Sequence, residues 1–289
     1  MFEGMTHTAY LTKTVEQRML SLTEVGGDSA AAAANYHLSA GGNRFRCKLA
    51  LDAGQRLNLD FESNTAIAAC CELLHNASLI HDDIQDRDRV RRGRESVWAR
   101  FGTDVAICTG DLMVSAAYCA LAEIRQPDVG YLIAASHRAV GNAISGQTKD
   151  RANSIVCTLS LDDYLETVSD KSGSLLCLPL ELALTLGGRQ DALKLASDAA
   201  NAFACAYQIC DDLDDWREDL AHKRLNIVGV LQANNVEPMR SSLEHATELA
   251  LQSYRRAHEL AAQLPLGSGD LISDYALKQR LALTARGSV

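Results

Sequence analysis

Residues 63–86, SNTAIAACCELLHNASLIHDDIQD, make one long apolar run that ends in carboxylates. A run of this length is too long for a strand and reads as a helix. The same texture recurs along the chain. Alanine and leucine dominate, and only 4 prolines occur in 289 residues. Such a sequence predicts an all-α protein. With 47% hydrophobic residues it can bury one large core, so a single domain over residues 1–289 is expected, a bundle of about ten helices.

The pattern predicts further helices over 8–23, 28–38 (capped by Asp28 or Ser29) and from near Phe45, after the break at Gly41-Gly42. Others are expected over 104–124, 130–149, 161–186 with a kink at Pro179, and 191–216. The part from about Val236 onward reads as helical with a break at LPLGSG. The arginine-rich stretch up to Glu95 reads as a loop, with a turn at Gly93.

A net charge of -9 argues against a nucleic-acid partner, whose phosphates it would repel. The 9 cysteines are scattered among apolar neighbours without a CxxC pair, and read as reduced core residues of a cytoplasmic protein. The first twenty residues lack the basic-then-apolar order of a signal peptide. No 18-residue apolar segment, and so no membrane span, is expected.

The chemistry concentrates in two acidic stretches. On a helix, Asp82 and Asp86 share a face, and Asp83 is turned from Asp82 by roughly 100°. In YQICDDLDDW, Asp211 and Asp215 share a face, flanked by Asp212 and Asp214. Like charges four apart destabilise a helix, so two such clusters call for a cation. Oxygen-only ligands suit Mg²⁺, which bridges to phosphate oxygens. Beside the first cluster, Arg91 and Arg92 offer planar forks for phosphate.

These segments resemble the trans-isoprenyl diphosphate synthases. HNASLIHDDIQDRDRVRRGRESVWARFGTDVAICTGD looks like that family's first aspartate-rich region, and AYQICDDLDD like its second. GGNRFRC resembles the GGKRxRP segment, GQTKD the GQxxD segment, and DKSGSLL the KT(G/A) segment, all in the family's order. The resemblance implies an all-α bundle around a central cavity (the isoprenoid synthase fold), usually a homodimer. The implied activity joins isopentenyl diphosphate to an allylic diphosphate.

By the same resemblance, Asp82, Asp86, Asp211 and Asp215 would bind Mg²⁺, about three ions per site, with Asp83 and Asp212 in support. Arg91, Lys171 and Lys223 would hold the allylic diphosphate. Arg46, His75 and Arg92 would form the metal-free pocket for isopentenyl diphosphate. Ser172 and Gln208 would face the reacting carbons. His81 reads as structural, Asp150 as a partner for a cation, and Asp111 as a buttress for its neighbours.

The sequence departs from the family at Asn43, where GGKR has a lysine. Lys149 or another arginine could supply the missing charge. Product length in this family follows from how soon the cavity meets a bulky side chain. Ala77 and Ser78, just before Asp82, are small; Leu74, Cys71, Met113 and Tyr118 are the next candidates. The expected product has about twenty carbons. A non-catalytic or altered-specificity partner subunit and a class I terpene cyclase are the alternative readings.

Overall fold

The computed structural model describes residues 7–152, 159–222, 224–235 and 239–286. Lys223 and Cys157 lie outside the described residues. The helices are α1 (His7–Thr23), α2 (Gly27–Ser39), α3 (Phe45–Arg56), α4 (Phe61–Asp86), α5 (Val97–Phe101), α6 (Thr103–Ala122) and α7 (Val129–Ala152). They continue with α8 (Leu161–Val168), α9 (Ser174–Leu186), α10 (Leu193–Ala221), α11 (Ile227–Asn235), α12 (Met239–Ala261) and α13 (Asp270–Arg286). Among the described residues the only sheet is a hairpin, β1 (Val90–Arg91) against β2 (Arg94–Glu95).

The chain divides into two compact units, Met1–Ala135 with Leu182–Gly188, and Ser136–Glu181 with Arg189–Val289. In the first, α4 is the central helix, packed by α1, α3 and α6. Its start is fixed by Asp60, whose carboxylate accepts from the Ser63 N–H (2.8 Å) and the Ser63 hydroxyl (2.8 Å). From Ser63 to Leu74 every residue is buried, which is why this helix is apolar on all sides. It stops at Arg87, which adopts a left-handed conformation (φ 59°) and donates to the Asp83 carbonyl. The expected turn at Gly93 is the tip of the hairpin, where Arg92 (φ 54°) and Gly93 (φ 73°) both have positive φ.

One helix among the described residues, Thr103–Ala122, is long and apolar enough to cross a membrane. This corrects the expectation that no such segment exists. Its Ala106, Met113, Ala117 and Leu121 face is buried in the first unit, against α4 and α2. A packed core helix therefore accounts for its composition.

In the second unit α10 packs on α12, which packs on α13. Tyr164, Val168, Ile209, Ile227 and Val230 anchor a core shared by α8, α10 and α11. The expected 161–186 helix is interrupted at Ser169–Gly173, a π-helical turn, while Pro179 lies within α9. The irregularity thus falls at Lys171 rather than at the proline. Gly146 of α7 permits it: a Cβ there would lie 2.3 Å from the Lys171 backbone nitrogen.

Candidate active site

The first acidic cluster sits at the C-terminal end of α4. Asp83 follows Ile80 by three positions, and so falls on the buried stripe of the helix. Its side chain is 1% exposed. One oxygen, Oδ1, accepts from Arg91 Nε (2.9 Å) and Nη2 (2.5 Å) across the hairpin. Burial pushes the Asp83 carboxyl up, and Arg91 opposes that shift. Its other oxygen is buried without a hydrogen-bond partner among the described residues. Asp82 is half-buried and Asp86 exposed. The sequence reading grouped the three aspartates as catalytic; Asp83 is the one turned inward.

A cation cluster lies in the same unit. Arg92 donates through Nη1 to the Gly41 carbonyl, and its guanidinium lies over Gly42. A Cβ on Gly42 would stand 2.7 Å from Arg92 Cζ, and Gly42 has φ 127°. Both facts explain the glycine pair that the sequence shows before Asn43. Arg44, in a left-handed conformation, donates to Glu16 (2.9 Å), to the Leu38 carbonyl (2.6 Å) and to Glu72 (3.5 Å). Glu72 also accepts the Cys47 N–H (3.1 Å). Asn76 bridges from the Glu72 carbonyl (2.7 Å) to His37 Nε2 (3.1 Å). This buried network sets the loop that launches Arg46 from the first turn of α3. His75 is driven well below its ordinary pKa, first by burial and then by Arg46 and Arg92. His37 is lowered to about 4, again by burial and then Arg92. Both imidazoles are neutral near pH 7. His81 Nε2 is 3.7 Å from the Asp111 carboxylate.

The second acidic cluster lies on α10. Asp212 follows Ile209 by three positions and is 3% exposed. Its carboxylate accepts from Gln208 Nε2 (2.8 Å), the Tyr164 hydroxyl (2.8 Å) and the Ile227 N–H (2.7 Å). Asn226 donates to its carbonyl (2.8 Å). Burial raises Asp212 to about 6 against the pull of these donors. Asp211, Asp214 and Asp215 lie at the surface. Asp211 is raised to about 7, by desolvation and then by Asp212, Asp215 and Asp214. A pocket of this unit is lined by Lys171, Ser172, Gln208, Tyr164, Val168 and Leu225. Lys171 pairs with Asp150 there, the partner expected for that aspartate. Lys149 pairs with Glu166 (2.7 Å) and Asp170 (2.9 Å).

Among the described residues, no three histidine, cysteine or acidic side chains are gathered closely enough to hold a metal by themselves. The donor set still suits Mg²⁺, which is commonly held by one or two carboxylates with phosphate oxygens and water completing its shell. The Asp211 carboxyl is raised first by desolvation and then by its acidic neighbours, and a divalent cation would relieve the second of these.

Sequence reasoning missed three parts of this arrangement. It did not find the Arg91–Asp83 pair, the Tyr164 hydroxyl on Asp212, or the Lys48 Nζ donation to the Asn43 Oδ1 (3.2 Å). An isoleucine three positions before each buried aspartate was the available signal.

A profile of polyprenyl synthetases matches residues 28–226, and the chain belongs to the polyprenyl synthetase family. It is 34% identical over 173 residues to a (2E,6E)-farnesyl diphosphate synthase of Mycobacterium bovis, covering 60% of this chain and 48% of that protein. It is 30% identical over 186 residues to a geranylgeranyl diphosphate synthase of Methanosarcina mazei, covering 63% and 57%. The chain thus spans about half the length of these relatives. The fold is shared with a geranylgeranyl pyrophosphate synthetase of Pyrococcus horikoshii (TM-score 0.84, 23% identity, 93% and 96% of the two chains). It is also shared with one of Geoglobus acetivorans (TM-score 0.81, 23% identity, 91% and 96%).

Proposed function

We propose that this protein is a Mg²⁺-dependent trans-prenyltransferase that condenses isopentenyl diphosphate with an allylic diphosphate. The observation that carries the reading is the same in both acidic clusters. The second aspartate is buried and hydrogen-bonded, while the first and last, four positions apart, stay outside the core. A locked middle residue with an outward acid pair is a rigid mount for a cation. We assign Asp82, Asp86, Asp211 and Asp215 as Mg²⁺ ligands. Bound Mg²⁺ supplies charge neutralisation at the diphosphate oxygens.

The remaining roles belong to the chain's own side chains. Arg91 and Lys171 contact the allylic diphosphate, where negative charge grows as the carbon–oxygen bond breaks. Each is already oriented by a carboxylate, Asp83 and Asp150, so little reorganisation is needed during reaction. Lys223 is assigned with them. Gln208 donates its amide nitrogen to Asp212, which fixes its carbonyl oxygen to act, with Ser172, as a dipole toward the allylic cation. Tyr164, Val168 and Leu225 supply apolar lining that keeps water from quenching the cation. The isopentenyl double bond attacks the cation, and the proton then lost passes to the departing diphosphate. Arg46, Arg92 and neutral His75 receive isopentenyl diphosphate.

The protein acts as a single domain over residues 1–289, as a cytoplasmic homodimer, and makes a product of about twenty carbons. Ala77 (1% exposed) and Ser78 are small, and Leu74, Cys71, Met113 (0% exposed) and Tyr118 are the next side chains that could close the cavity. The test is elongation. The pure protein is given Mg²⁺, isopentenyl diphosphate and, separately, dimethylallyl, geranyl or farnesyl diphosphate, and the dephosphorylated alcohols are sized by mass spectrometry. A ladder ending at one length is expected. Intact primer throughout would refute the activity and favour a non-catalytic subunit.

A further inference from the structure

Arg91 and Arg92, the two arginines assigned to the diphosphates, stand on a hairpin that is too short to hold itself. Each strand has two residues, Val90–Arg91 against Arg94–Glu95. A lone two-stranded ribbon is at best marginally stable in water. The backbone is also strained: Arg87 (φ 59°) and Arg92 (φ 54°) are non-glycine residues in left-handed conformations, and Gly93 follows at φ 73°. Such conformations persist only where the surroundings over-determine them. At rest the guanidiniums of Arg91 and Arg92 are held by Asp83 and the Gly41 carbonyl, and a diphosphate competes for both. A restraint that survives ligand binding has to come from other groups.

Two aromatic side chains of the same unit supply it. Trp98 of α5 braces the strand that enters the turn. Its Nε1 donates to the Asp88 carbonyl (2.8 Å), and Arg89 lies over its ring (5.4 Å). Tyr36, near the end of α2, braces the strand that leaves the turn. Its hydroxyl donates to the Glu95 carbonyl (2.9 Å), 59 residues away. The guanidiniums of Arg94 and Arg100 lie over its ring at 4.2 and 4.5 Å, and Phe101 meets it edge-on at 5.4 Å. The ring face attracts both cations, so β2 and α5 are drawn to one point on α2. That point is fixed in turn, because the next residue, His37, is buried and hydrogen-bonded to Asn76 of α4 (3.1 Å).

We propose that Tyr36 is a positioning residue for diphosphate binding: it holds the hairpin against α2, so that Arg91 and Arg92 are aimed before the ligand arrives. This inference rests on the reading of those two arginines as diphosphate ligands of a prenyl synthase. It assigns Arg94 and Arg100 to the anchor and not to the ligand. Without the anchor the hairpin samples other arrangements, and the ligand must select the aimed one. Apparent affinity then falls by the aimed fraction, while the saturated complex is unchanged. The signature is a rise in KM at nearly constant kcat.

The test combines hydrogen exchange, calorimetry and kinetics on wild type, Tyr36→Phe and Tyr36→Leu. Exchange over residues 88–96 should accelerate in both variants, more in Tyr36→Leu, with residues 45–56 of α3 unchanged. Tyr36→Leu should raise the KM for isopentenyl diphosphate and for the allylic primer about tenfold, and weaken binding of inorganic diphosphate with Mg²⁺ by the same factor, with kcat within about threefold. Tyr36→Phe keeps the ring and loses one hydrogen bond, so its shifts should be about threefold. Tyr36 is half-buried, and the phenylalanine variant keeps the test available if Tyr36→Leu loses its helical circular dichroism. Unchanged KM values overturn the assignment, as does a fall in kcat alone or a wild type that binds no diphosphate. Faster exchange with unchanged diphosphate affinity overturns it too. Faster exchange with weakened inorganic diphosphate, in a protein that elongates no primer, would uphold Tyr36 and refute the prenyl-synthase reading.

Discussion

The ends of α4 and α10 pose one problem and solve it differently. Each places a buried aspartate three residues after a buried isoleucine, between acids that face outward. At α4 the buried carboxylate is neutralised by a cation, Arg91, which the hairpin carries back to Asp83. At α10 the buried carboxylate meets neutral donors, from Tyr164, Gln208 and the Ile227 backbone. The first cluster is charge-compensated at rest. The second keeps an Asp211 carboxyl raised to about 7, by desolvation first and then by its acidic neighbours. The difference teaches that one aspartate pattern can be built either to orient a phosphate-binding arginine or to hold an amide and await a cation.

The largest effect is expected from the outward acids. Asp82→Ala should lower kcat/KM about a thousandfold or more, with unchanged far-UV circular dichroism. Loss of helical signal would mean that Asp82 supports the fold instead.

The buried acids should separate the two solutions by stability. Asp83→Asn leaves the Arg91 charge without its counter-charge and should cost about 3 kcal/mol in urea unfolding. Asp212→Asn should cost only about 1 kcal/mol. The asparagine oxygen can still accept from Tyr164 and Ile227, and Gln208 can turn its amide to match. That turn would swing the Gln208 carbonyl away from the pocket, so kcat should fall although the protein remains stable. Equal stability losses in the two variants would erase the distinction between the clusters.

A smaller effect concerns pH. Asp211 has a folded pKa of about 7 against 3.8, so the native state binds its proton more tightly. The stability it contributes is full below pH 3.8 and is lost as pH rises through 7. Metal-free wild type should therefore lose stability relative to Asp211→Asn between pH 5 and pH 8. His37 of the first unit runs the other way, because its lowered pKa of about 4 against 6.5 removes stability as pH falls below 6.5. Thermal melts of wild type and variant across this range give the sign. A constant difference between them would contradict the Asp211 assignment. The smallest effect is expected for Asp111→Asn, whose contact with His81 is 3.7 Å long and exposed at Asp111. It should change stability by less than about 0.5 kcal/mol, whereas a large loss would make it part of the first cluster.

Much of this was legible in the residues. The carboxylate pairs follow from helical spacing, α4 from its apolar run, and the hairpin turn from Gly93. The partners of the buried aspartates were not legible, because Tyr164 and Ile227 reach Asp212 from 48 and 15 residues away. The π turn at Lys171 was missed for a related reason: it depends on Gly146 of another helix. Pro179 gave a misleading signal, since the chain absorbs its irregularity one turn earlier. Lys48 carries no motif, and only the folded loop brings it to Asn43.

The most direct test of the central claim is the thermal shift produced by Mg²⁺ with inorganic diphosphate. Wild type should be stabilised by the two together and little by either alone, and Asp82→Ala and Asp211→Ala should each lose that shift. Both variants shifting as wild type does would contradict the claim that the two acidic clusters hold Mg²⁺ for a diphosphate.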